Sequence, residues 1–590
     1  MLADDFQHQA ALGARLRVGD WQLYWPFAWF EWQVRAGDAF RHVFARAWLL
    51  FMLGSGATLG LLIVSTRSAG LSLKPVGQGA WGDLADAVRA GLCASTGVVL
   101  GRLEGELLCF NGPEHHLLIG ASRSGKGRGQ IVPTLLAWPH SALVLDIKGE
   151  LADGDARVGF PGTARFRAQL GPVLRFAPTK ARSCAFNPLF EVRRGPNEVR
   201  DVMNLVEVIV DPAGDGRHND FWDRMARAII CGVTLHVLYT EPDHRKSLAV
   251  VRERLRDLDA TAETMKATLH RRNLSTGEPE THPEILHAAE SYLAGEVRMR
   301  SGIKATAESY FGVFADEMVA ANTSRSDFRI GDLMCADHPV TLYLQPPASD
   351  VTRLTPLLRL MINQFARALM EDQGHDGRGL PKRHRLLLVL DEFPVLGRMP
   401  FFEIMMGAMA GFGLKALLVC QSLNHITRAY TRANVIIDNS HVVTLFAAAD
   451  NETAQRVADM VGEVREVRQS LSRQRPRPIL GFGRGQVVER EEKLARLMPG
   501  EVRELPRDKQ IILVSGVKPF MADKIAYDQE PQFKARLKDA KPRVWPGFEA
   551  THDWIGVRAI GVVAQAAKPQ PILDAREHAK TGAASKSMNL

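Results

Sequence analysis

A glycine-rich loop, Gly120–Gly127 (GASRSGKG), constrains this chain more than any other stretch, because it follows the apolar run HHLLI and precedes a potential helix. Glycines let backbone N–H groups turn inward, and a helix N-terminus adds positive potential, so such a loop suits phosphate groups. Lys126 can then reach the β and γ phosphates of ATP. The predicted nucleotide-binding residues are Gly120, Ser122, Arg123, Ser124, Gly125, Lys126 and Gly127.

The loop pattern is weak by itself. By composition alone, G-x-x-x-x-G-K is expected about one time in five in a chain of this size. Gly127 also stands where Ser or Thr usually binds magnesium. The loop therefore needs support from a second motif.

That second motif is a run of apolar residues that ends in two acids. Leu386–Leu390 predicts a buried strand, and Asp391 and Glu392 follow it directly, which is the form of a Walker B site. Asp391 is predicted to hold Mg²⁺ through water, and Glu392 to polarise the attacking water. Together with Lys126, these acids predict a P-loop ATPase that uses ATP and Mg²⁺.

Polar residues after other predicted strands are further candidates for the site. Gln421 follows Ala416–Cys420, where a side-chain amide can sense the γ-phosphate, although an ordinary loop glutamine fits that position equally well. Asp146 and Lys148 follow Ala142–Leu145. Asp146 and Lys148 either support the residues that bind the metal or form a simple surface ion pair.

The alternation of short apolar runs with potential helices predicts an α/β fold with one wound sheet. Between residues 195 and 325 the strand signal fades, and helical patterns such as Asp220–Tyr239 and Ser247–Arg272 predict an all-helical insertion. The predicted strands are His116–Ile119, Ala142–Leu145, Val340–Leu344, Leu386–Leu390, Ala416–Val419, Val442–Phe446 and Ile511–Val514.

A membrane span is predicted near the amino terminus. Ala47–Ser65 (AWLLFMLGSGATLGLLIVS) carries no charged side chain, and as a helix it is about 28 Å long, against about 30 Å for a hydrocarbon core. The aromatic segment that precedes it, WQLYWPFAWFEW, is typical of a membrane–water boundary or of a small aromatic core. Flanking charges do not set the orientation of the span.

Several stretches of the sequence together resemble the TraG-type coupling proteins of type IV secretion and conjugation systems. They occur in the family's order, cover roughly residues 77 to 535, and are GPEHHLLIGASRSGKGRGQIVPTLLAWPHSALVLDIKGE, FNPL, LLVLDEFPVLGRMP, CQSLNHI and LPRDKQIILVSGVKPFMADKIAY. The resemblance implies a RecA-like P-loop nucleotide-binding domain with an inserted all-helical domain and an N-terminal transmembrane helix. It also implies a hexameric ATPase of the bacterial inner membrane that pumps single-stranded DNA.

The resemblance assigns roles to individual residues. Lys126 corresponds to the Walker A lysine, Asp391 and Glu392 to the Walker B acids, and Gln421 to the glutamine of the third motif. Gly127 fits the family, which has glycine after the P-loop lysine. Ring ATPases also use an arginine of the neighbouring subunit, and the candidates are Arg398 and Arg432.

The resemblance further implies partners and a placement in the cell. The expected partners are single-stranded DNA, a relaxase, inner-membrane scaffold proteins of the secretion channel, and further copies of the chain. Members usually have two spans, so we expect that the first is missing here, that residues 1–46 are periplasmic and that the ATPase is cytoplasmic. The expected divisions are 1–46, the span 47–65, nucleotide-binding parts 77–194 and 326–540, the insertion 195–325, and a tail 541–590.

Two other functions remain open from the sequence. One is a chromosome-partitioning translocase of the FtsK kind, which acts on duplex DNA. The other is a docking receptor whose helical domain recruits a relaxase or protein effector while its nucleotide site only switches conformation. The arginine-rich stretch Arg465–Arg484 is predicted to be poorly ordered, and it is either a DNA contact or a solvated loop.

Overall fold

The computed structural model describes most of the chain, and the chain divides into two compact units. One unit comprises residues 1–76 and 465–492, and the other comprises 77–464 and 493–590. The described residues are 16–18, 21–23, 31, 33–35, 38–39, 41–67, 81–211, 214, 216, 219–273, 275–472 and 486–563.

The first unit contains a long apolar helix, Arg41–Arg67, of 27 residues. At 1.5 Å per residue the helix is about 40 Å long. The stretch Arg41–Gly60 has a mean hydropathy of 1.3 and is only 6% buried, so its length and composition suit a membrane crossing. The strands Leu16–Val18 and Trp21–Leu23 pair antiparallel. The rest of the predicted aromatic segment, apart from Glu31, lies outside the described residues.

The first unit also shows that one prediction of disorder was wrong. Glu463–Ser472 and Gln486–Ala495 are strands and form a two-stranded sheet, although part of this region was predicted to be poorly ordered. The valines at 464 and 467 favour extended backbone because their side chains are β-branched. Residues 473–485 lie outside the described residues.

The second unit is built on one sheet of eleven strands. All seven predicted strands lie in it, and the order across the sheet is β2-β1-β11-β10-β9-β3-β8-β7-β4-β6-β5. In chain order the strands are β1 Val98–Leu103, β2 Glu106–Phe110, β3 His116–Gly120, β4 Ser141–Leu145, β5 Val173–Phe176, β6 Thr341–Leu344, β7 Leu386–Leu390, β8 Leu414–Cys420, β9 Val442–Ala447, β10 Lys509–Val514 and β11 Phe520–Asp523.

The strands from β9 to β5 run parallel and in near register. Leu390 of β7 pairs with Leu418 of β8 and with Leu145 of β4, and Cys420 of β8 pairs with Ile119 of β3. The carboxyl ends of these strands therefore meet at one edge of the sheet. β10, β11, β1 and β2 continue the sheet in antiparallel fashion.

Both faces of the sheet are covered, which explains why its central strands are buried and a strand such as β7 is apolar at every position. Leu117 and Ile119 belong to one hydrophobic cluster, whereas Leu118 between them belongs to another on the opposite face. The helices outside the insertion are Leu84–Arg89, Val132–Ala137, Glu150–Asp153, Ala164–Leu170, Asp332–Cys335, Val351–Leu369, Pro400–Met409, Leu423–Tyr430, Asn451–Val461, Pro499–Arg503 and Pro531–Lys538.

The segment between β5 and β6 is mostly helical. Asp220 accepts a hydrogen bond from the N–H of Asp223 and so caps the longest helix of the segment, Phe221–Thr240. The helices of the segment are Glu198–Val210, Phe221–Thr240, Leu248–Arg256, Leu258–Ala267, Pro283–Leu293, Val297–Ser309 and Glu317–Asn322.

The prediction that this segment is wholly helical was wrong in one place. Arg271–Arg272 pairs antiparallel with Pro279–Glu280, across a turn in which Gly277 has φ +74° and Asn273 accepts hydrogen bonds from the backbone. Such a turn reverses the chain where a helix cannot continue. The predicted helix Ser247–Arg272 is instead two helices, Leu248–Arg256 and Leu258–Ala267, and the second ends before this hairpin.

The first part of the C-terminal segment packs against this helical region. Trp554 is fully buried, and its Nε1 donates to the carbonyl of Val192 at 2.8 Å. Gly561–Val562 pairs antiparallel with Thr268–Leu269. Residues 564–590, the end of the expected tail 541–590, lie outside the described residues.

Candidate active site

A cleft opens at the carboxyl edge of the parallel strands. It brings together the loop after β3, the acids after β7 and Gln421 after β8, as the strand register requires. The cleft is lined by Ser122, Arg123, Ser124, Gly125, Lys126, Gly127, Asp146, Ile147, Lys148, Glu150, Leu151, Val351, Asp391, Glu392, Val395 and Gln421. Gly120, the remaining predicted residue, is the last residue of β3.

The backbone of the loop needs glycine at two points. A Cβ at Gly120 would lie 2.6 Å from the Ser124 hydroxyl, and Gly125 has φ +94°, which side-chain-bearing residues rarely adopt. Arg123 nevertheless has φ +62°. Non-glycine residues in this conformation are strained, and such strain is concentrated at ligand-binding sites.

Hydrogen-bond donors of the loop are available to bind phosphate oxygens. The Lys126 ammonium donates to the carbonyls of Gly120 at 2.6 Å and Ala121 at 3.4 Å, both in its own loop. The Ser124 hydroxyl is buried and has no hydrogen-bond partner among the described residues. Since a buried polar group without a partner is costly, phosphate oxygens fit this position. A Cβ at Gly127 would meet nothing within 4 Å.

The two acids after β7 crowd each other. Burial, and then repulsion by Glu392, raise the pKa of Asp391 to about 6, while Lys126 and Lys148 oppose that rise. Glu392 has φ +56°, in the left-handed region. A carboxylate that is held this unfavourably next to another fits a divalent cation, because the cation would offset both burial and repulsion.

Gln421 connects the loop to the acids. The Ser122 hydroxyl donates to Gln421 Oε1 at 3.1 Å, and Gln421 Nε2 donates to Glu392 Oε1 at 3.0 Å. The glutamine therefore contacts both halves of the predicted phosphate site. Ser122 was predicted only as a loop residue, and its bond to Gln421 had no sequence signal because 299 positions separate the two.

Asp146 is not part of a surface ion pair. It is buried, and its carboxylate accepts the N–H groups of Leu151 and Ala152 at 3.2 and 2.9 Å, so it caps the short helix Glu150–Asp153. Burial raises the pKa of Asp146. Gln345, which sequence reasoning missed, donates to the same carboxylate at 3.3 Å. Asp146 thus fixes the cleft wall that carries Lys148 and Glu150.

The two arginines predicted as trans-acting groups lie away from the lining of the cleft. Arg398 Nε is 3.0 Å from Glu403 Oε2 and is held within its own subunit. The Arg432 side chain is 84% exposed, and its Nη2 lies 3.7 Å from Glu452 Oε1. Of the two, Arg432 is the more exposed, at 84% against 34% for Arg398.

The chain is similar to known proteins of conjugative DNA transfer. The family model for type IV secretory system conjugative DNA transfer matches residues 81–544. The conjugal transfer protein TraG of Escherichia coli is 30% identical, over 92% of this chain and 91% of its own length. The protein VirD4 of Rhizobium radiobacter is 25% identical, over 86% of this chain and 71% of its own length.

Solved structures share the fold. The bacterial conjugative coupling protein TrwBdeltaN70 has a TM-score of 0.53 at 15% identity, and the match covers 78% of this chain and 99% of that one. The plasmid coupling protein TrwB in complex with ADP and Mg²⁺ has the same TM-score at 14% identity, with coverage of 79% and 98%.

Proposed function

Because this chain belongs to the type IV secretory system conjugative DNA transfer family, the TraG-type coupling ATPases, we propose that it drives single-stranded DNA into a secretion channel. In this proposal a relaxase accompanies the DNA, and scaffold proteins of the inner membrane receive it. The observation that carries the proposal is the convergence of Lys126, Asp391, Glu392 and Gln421 in one cleft. Residues 77–194 and 326–540 form the motor domain, 195–325 the helical domain and 541–590 the tail.

The proposed hydrolysis uses groups that already face the cleft. Lys126 leaves the loop carbonyls and binds the β and γ phosphates, and Ser124 donates its unpaired hydroxyl to a phosphate oxygen. Asp391 would hold Mg²⁺ through water, and the ion would supply positive charge that neutralises the phosphates. Glu392 accepts a proton from the attacking water.

Gln421 offers a way to couple nucleotide to conformation. Its amide bridges Ser122 and Glu392. A γ-phosphate at the loop competes for Ser122, so nucleotide binding would free Gln421 and, with it, Glu392. We propose that this exchange switches the general base between a held and an active position.

The remaining parts of the proposal concern assembly and placement. The helix Arg41–Arg67 is proposed to cross the inner membrane, with the motor in the cytoplasm. Six copies form the ring, and Arg432, because it is exposed, is the better candidate for the arginine given to a neighbouring subunit. This assignment replaces Arg398, which Glu403 holds.

Lys126→Ala tests the proposal. The variant should fold normally, yet lose hydrolysis and DNA-stimulated turnover, as measured by phosphate release with and without single-stranded DNA. Thr427→Ala, on the helix after Gln421 and outside the cleft lining, serves as the matched control. Full activity of Lys126→Ala would refute the phosphate-loop assignment.

Stimulation of the wild type by duplex DNA alone would favour the chromosome-partitioning translocase. Negligible turnover that does not respond to DNA, together with relaxase binding, would favour the docking receptor.

A further inference from the structure

The start of the helix Phe221–Thr240 carries two exposed aromatic side chains that the nucleotide site does not use. Phe221 is 44% exposed and Trp222 is 40% exposed. Their ring centroids lie 5.4 Å apart with an interplanar angle of 80°, an edge-to-face pair. Large aromatic groups rarely stay exposed as neighbours unless a ligand or partner covers them.

Trp222 is supported from below by a glycine. A Cβ at Gly302 would lie 2.7, 3.1 and 3.2 Å from Cζ3, Cη2 and Cε3 of the indole, three adjacent atoms of its six-membered ring. A single point this close to three adjacent ring atoms lies against the face of the ring. One face of the indole therefore rests on the helix Val297–Ser309, while the side chain as a whole stays 40% exposed.

Two exposed arginines lie on the same two helices as this pair and its glycine support. The carboxylates of Asp220 and Asp223 are occupied by the helix cap, and Asp223 also accepts the hydroxyl of Tyr310. Arg224 is exposed, three positions after Phe221, and makes no ion pair within the described part of the chain; its Nη1 donates to the carbonyl of Asn219. Arg298, one turn before Gly302, is also exposed and unpaired there.

We propose that Phe221, Trp222, Arg224 and Arg298 form a platform on which single-stranded DNA stacks its bases. Bases stack on aromatic rings with little sequence preference, at about 1–3 kcal/mol per base, and arginines hold the intervening phosphates. The proposal rests on the proposed function and names the surface that takes its DNA. It concerns the helical region, so it is separable from nucleotide chemistry in the cleft.

The test measures binding of a fluorescent oligothymidylate to the full-length protein in detergent, by anisotropy, beside its DNA-independent ATPase activity. Trp222→Leu keeps an apolar side chain on Gly302 but removes the flat ring, and it should raise the Kd about 5- to 100-fold. Trp222→Phe keeps a ring and should bind within about threefold of the wild type. DNA-independent ATPase should be unchanged in both.

Two further variants address the support and the charge. Gly302→Leu should lift the indole from its seat and weaken DNA binding as Trp222→Leu does. Arg298→Ala should reduce the slope of log Kd against log salt by about 0.7, because one phosphate contact is lost. Met203→Ala and Lys266→Ala, at exposed positions on other helices of the region, are the matched controls.

Three outcomes would overturn the platform. Wild-type affinity of folded Trp222→Leu would show that no base stacks there. Unchanged DNA binding, with loss of relaxase capture in the same variant, would assign the surface to a protein partner instead. If the wild type itself binds no single-stranded DNA, both the proposed function and the platform fail. If the wild type binds single-stranded DNA but substitutions in the platform leave its affinity unchanged, only the platform fails.

Discussion

Two lysines of the same unit show how the active site differs from the contact between the C-terminal segment and the helical region. Lys246 is fully buried, and its ammonium donates to the carbonyls of Trp554 at 2.5 Å and Val557 at 2.9 Å and to Asp243 at 3.1 Å. Lys126 reaches only carbonyls of its own loop and borders an open cleft. Lys246 therefore makes three hydrogen bonds within the fold, whereas Lys126 can exchange its loop carbonyls for a ligand.

The acids beside these lysines differ in the same sense. A hydrogen bond from Arg558, together with further donors, holds the pKa of Asp243 well below its usual range. Burial and Glu392 raise that of Asp391. The carboxylate of Asp243 is therefore stabilised by its donors, although burial lowers the pKa of Lys246, whereas the carboxylate of Asp391 is destabilised by burial and by Glu392. In this protein, an acid that is paired with several hydrogen-bond donors marks the structural contact, and an acid that is crowded by another acid marks the active site.

Glu392→Gln is expected to have the largest effect on activity. It removes the general base while keeping a side chain that Gln421 can contact, so turnover should fall by about 10²- to 10⁴-fold with ATP binding retained. Phosphate release and nucleotide-binding calorimetry measure the two quantities. Because the carboxylate repels Asp391, thermal stability should not fall; a large loss of stability would mean that Glu392 is a structural group.

Lys246→Met should give the largest loss of stability. It leaves two buried carbonyls and one carboxylate without their shared donor, so the free energy of unfolding should fall by about 3–5 kcal/mol. Chemical denaturation measures the change, and Lys266→Met, at an exposed position, is the control. A change below about 1 kcal/mol would show that the C-terminal contact does not depend on this charge.

The two regions should also respond to acid with opposite signs. The buried pair His236 and His270, 2.9 Å apart, has its pKa values lowered by burial to about 4 and about 3, so the unfolded chain takes up protons first and stability is lost as pH falls below about 6.5. For Asp391, whose pKa is raised to about 6, the folded chain is protonated first, and its contribution to stability grows as pH falls through 6.

The net of these titrations should be a loss of about 2 kcal/mol between pH 6.5 and 5, because the two histidines outweigh the single acid. Denaturation at each pH measures it. Asp391→Asn should steepen this loss, and His270→Gln should flatten it. Equal slopes in all three proteins would contradict the assignment of these groups.

The smallest expected effect concerns an ion pair just behind the phosphate loop. Arg128 forms two 2.7 Å bonds with Asp528, and the carbonyl of Arg128 accepts the N–H of Tyr527 at 3.1 Å. Both charged side chains are about half exposed, so either single charge reversal should raise the KM for ATP only about two- to fivefold. The double swap, Arg128→Asp with Asp528→Arg, should restore it. Failure of the swap to restore KM would mean that the pair does not position the loop.

Much of the nucleotide domain was predictable because its signals are local. Leu386–Leu390 is buried on both faces, so an uninterrupted apolar run predicted a strand with the bounds that the structure has. The missed strand Val173–Phe176 lies at the margin of the sheet and is only partly buried, which leaves it a weaker apolar pattern. The predicted helix Ser247–Arg272 also extended too far, into the hairpin strand Arg271–Arg272.

The sequence by itself determined the chemistry of this protein: a phosphate loop with Lys126, paired acids at 391 and 392, and an apolar helix near the amino terminus. The tertiary structure alone decided which groups are hydrogen-bonded to each other and which are buried. Residues that are distant in sequence meet in the bond of Ser122 to Gln421 and in the contact of Lys246 with Trp554. The burial of Asp146 likewise depends on tertiary packing. Motif chemistry follows from adjacent residues, whereas pairing depends on how the packed sheet and helices bring remote segments together.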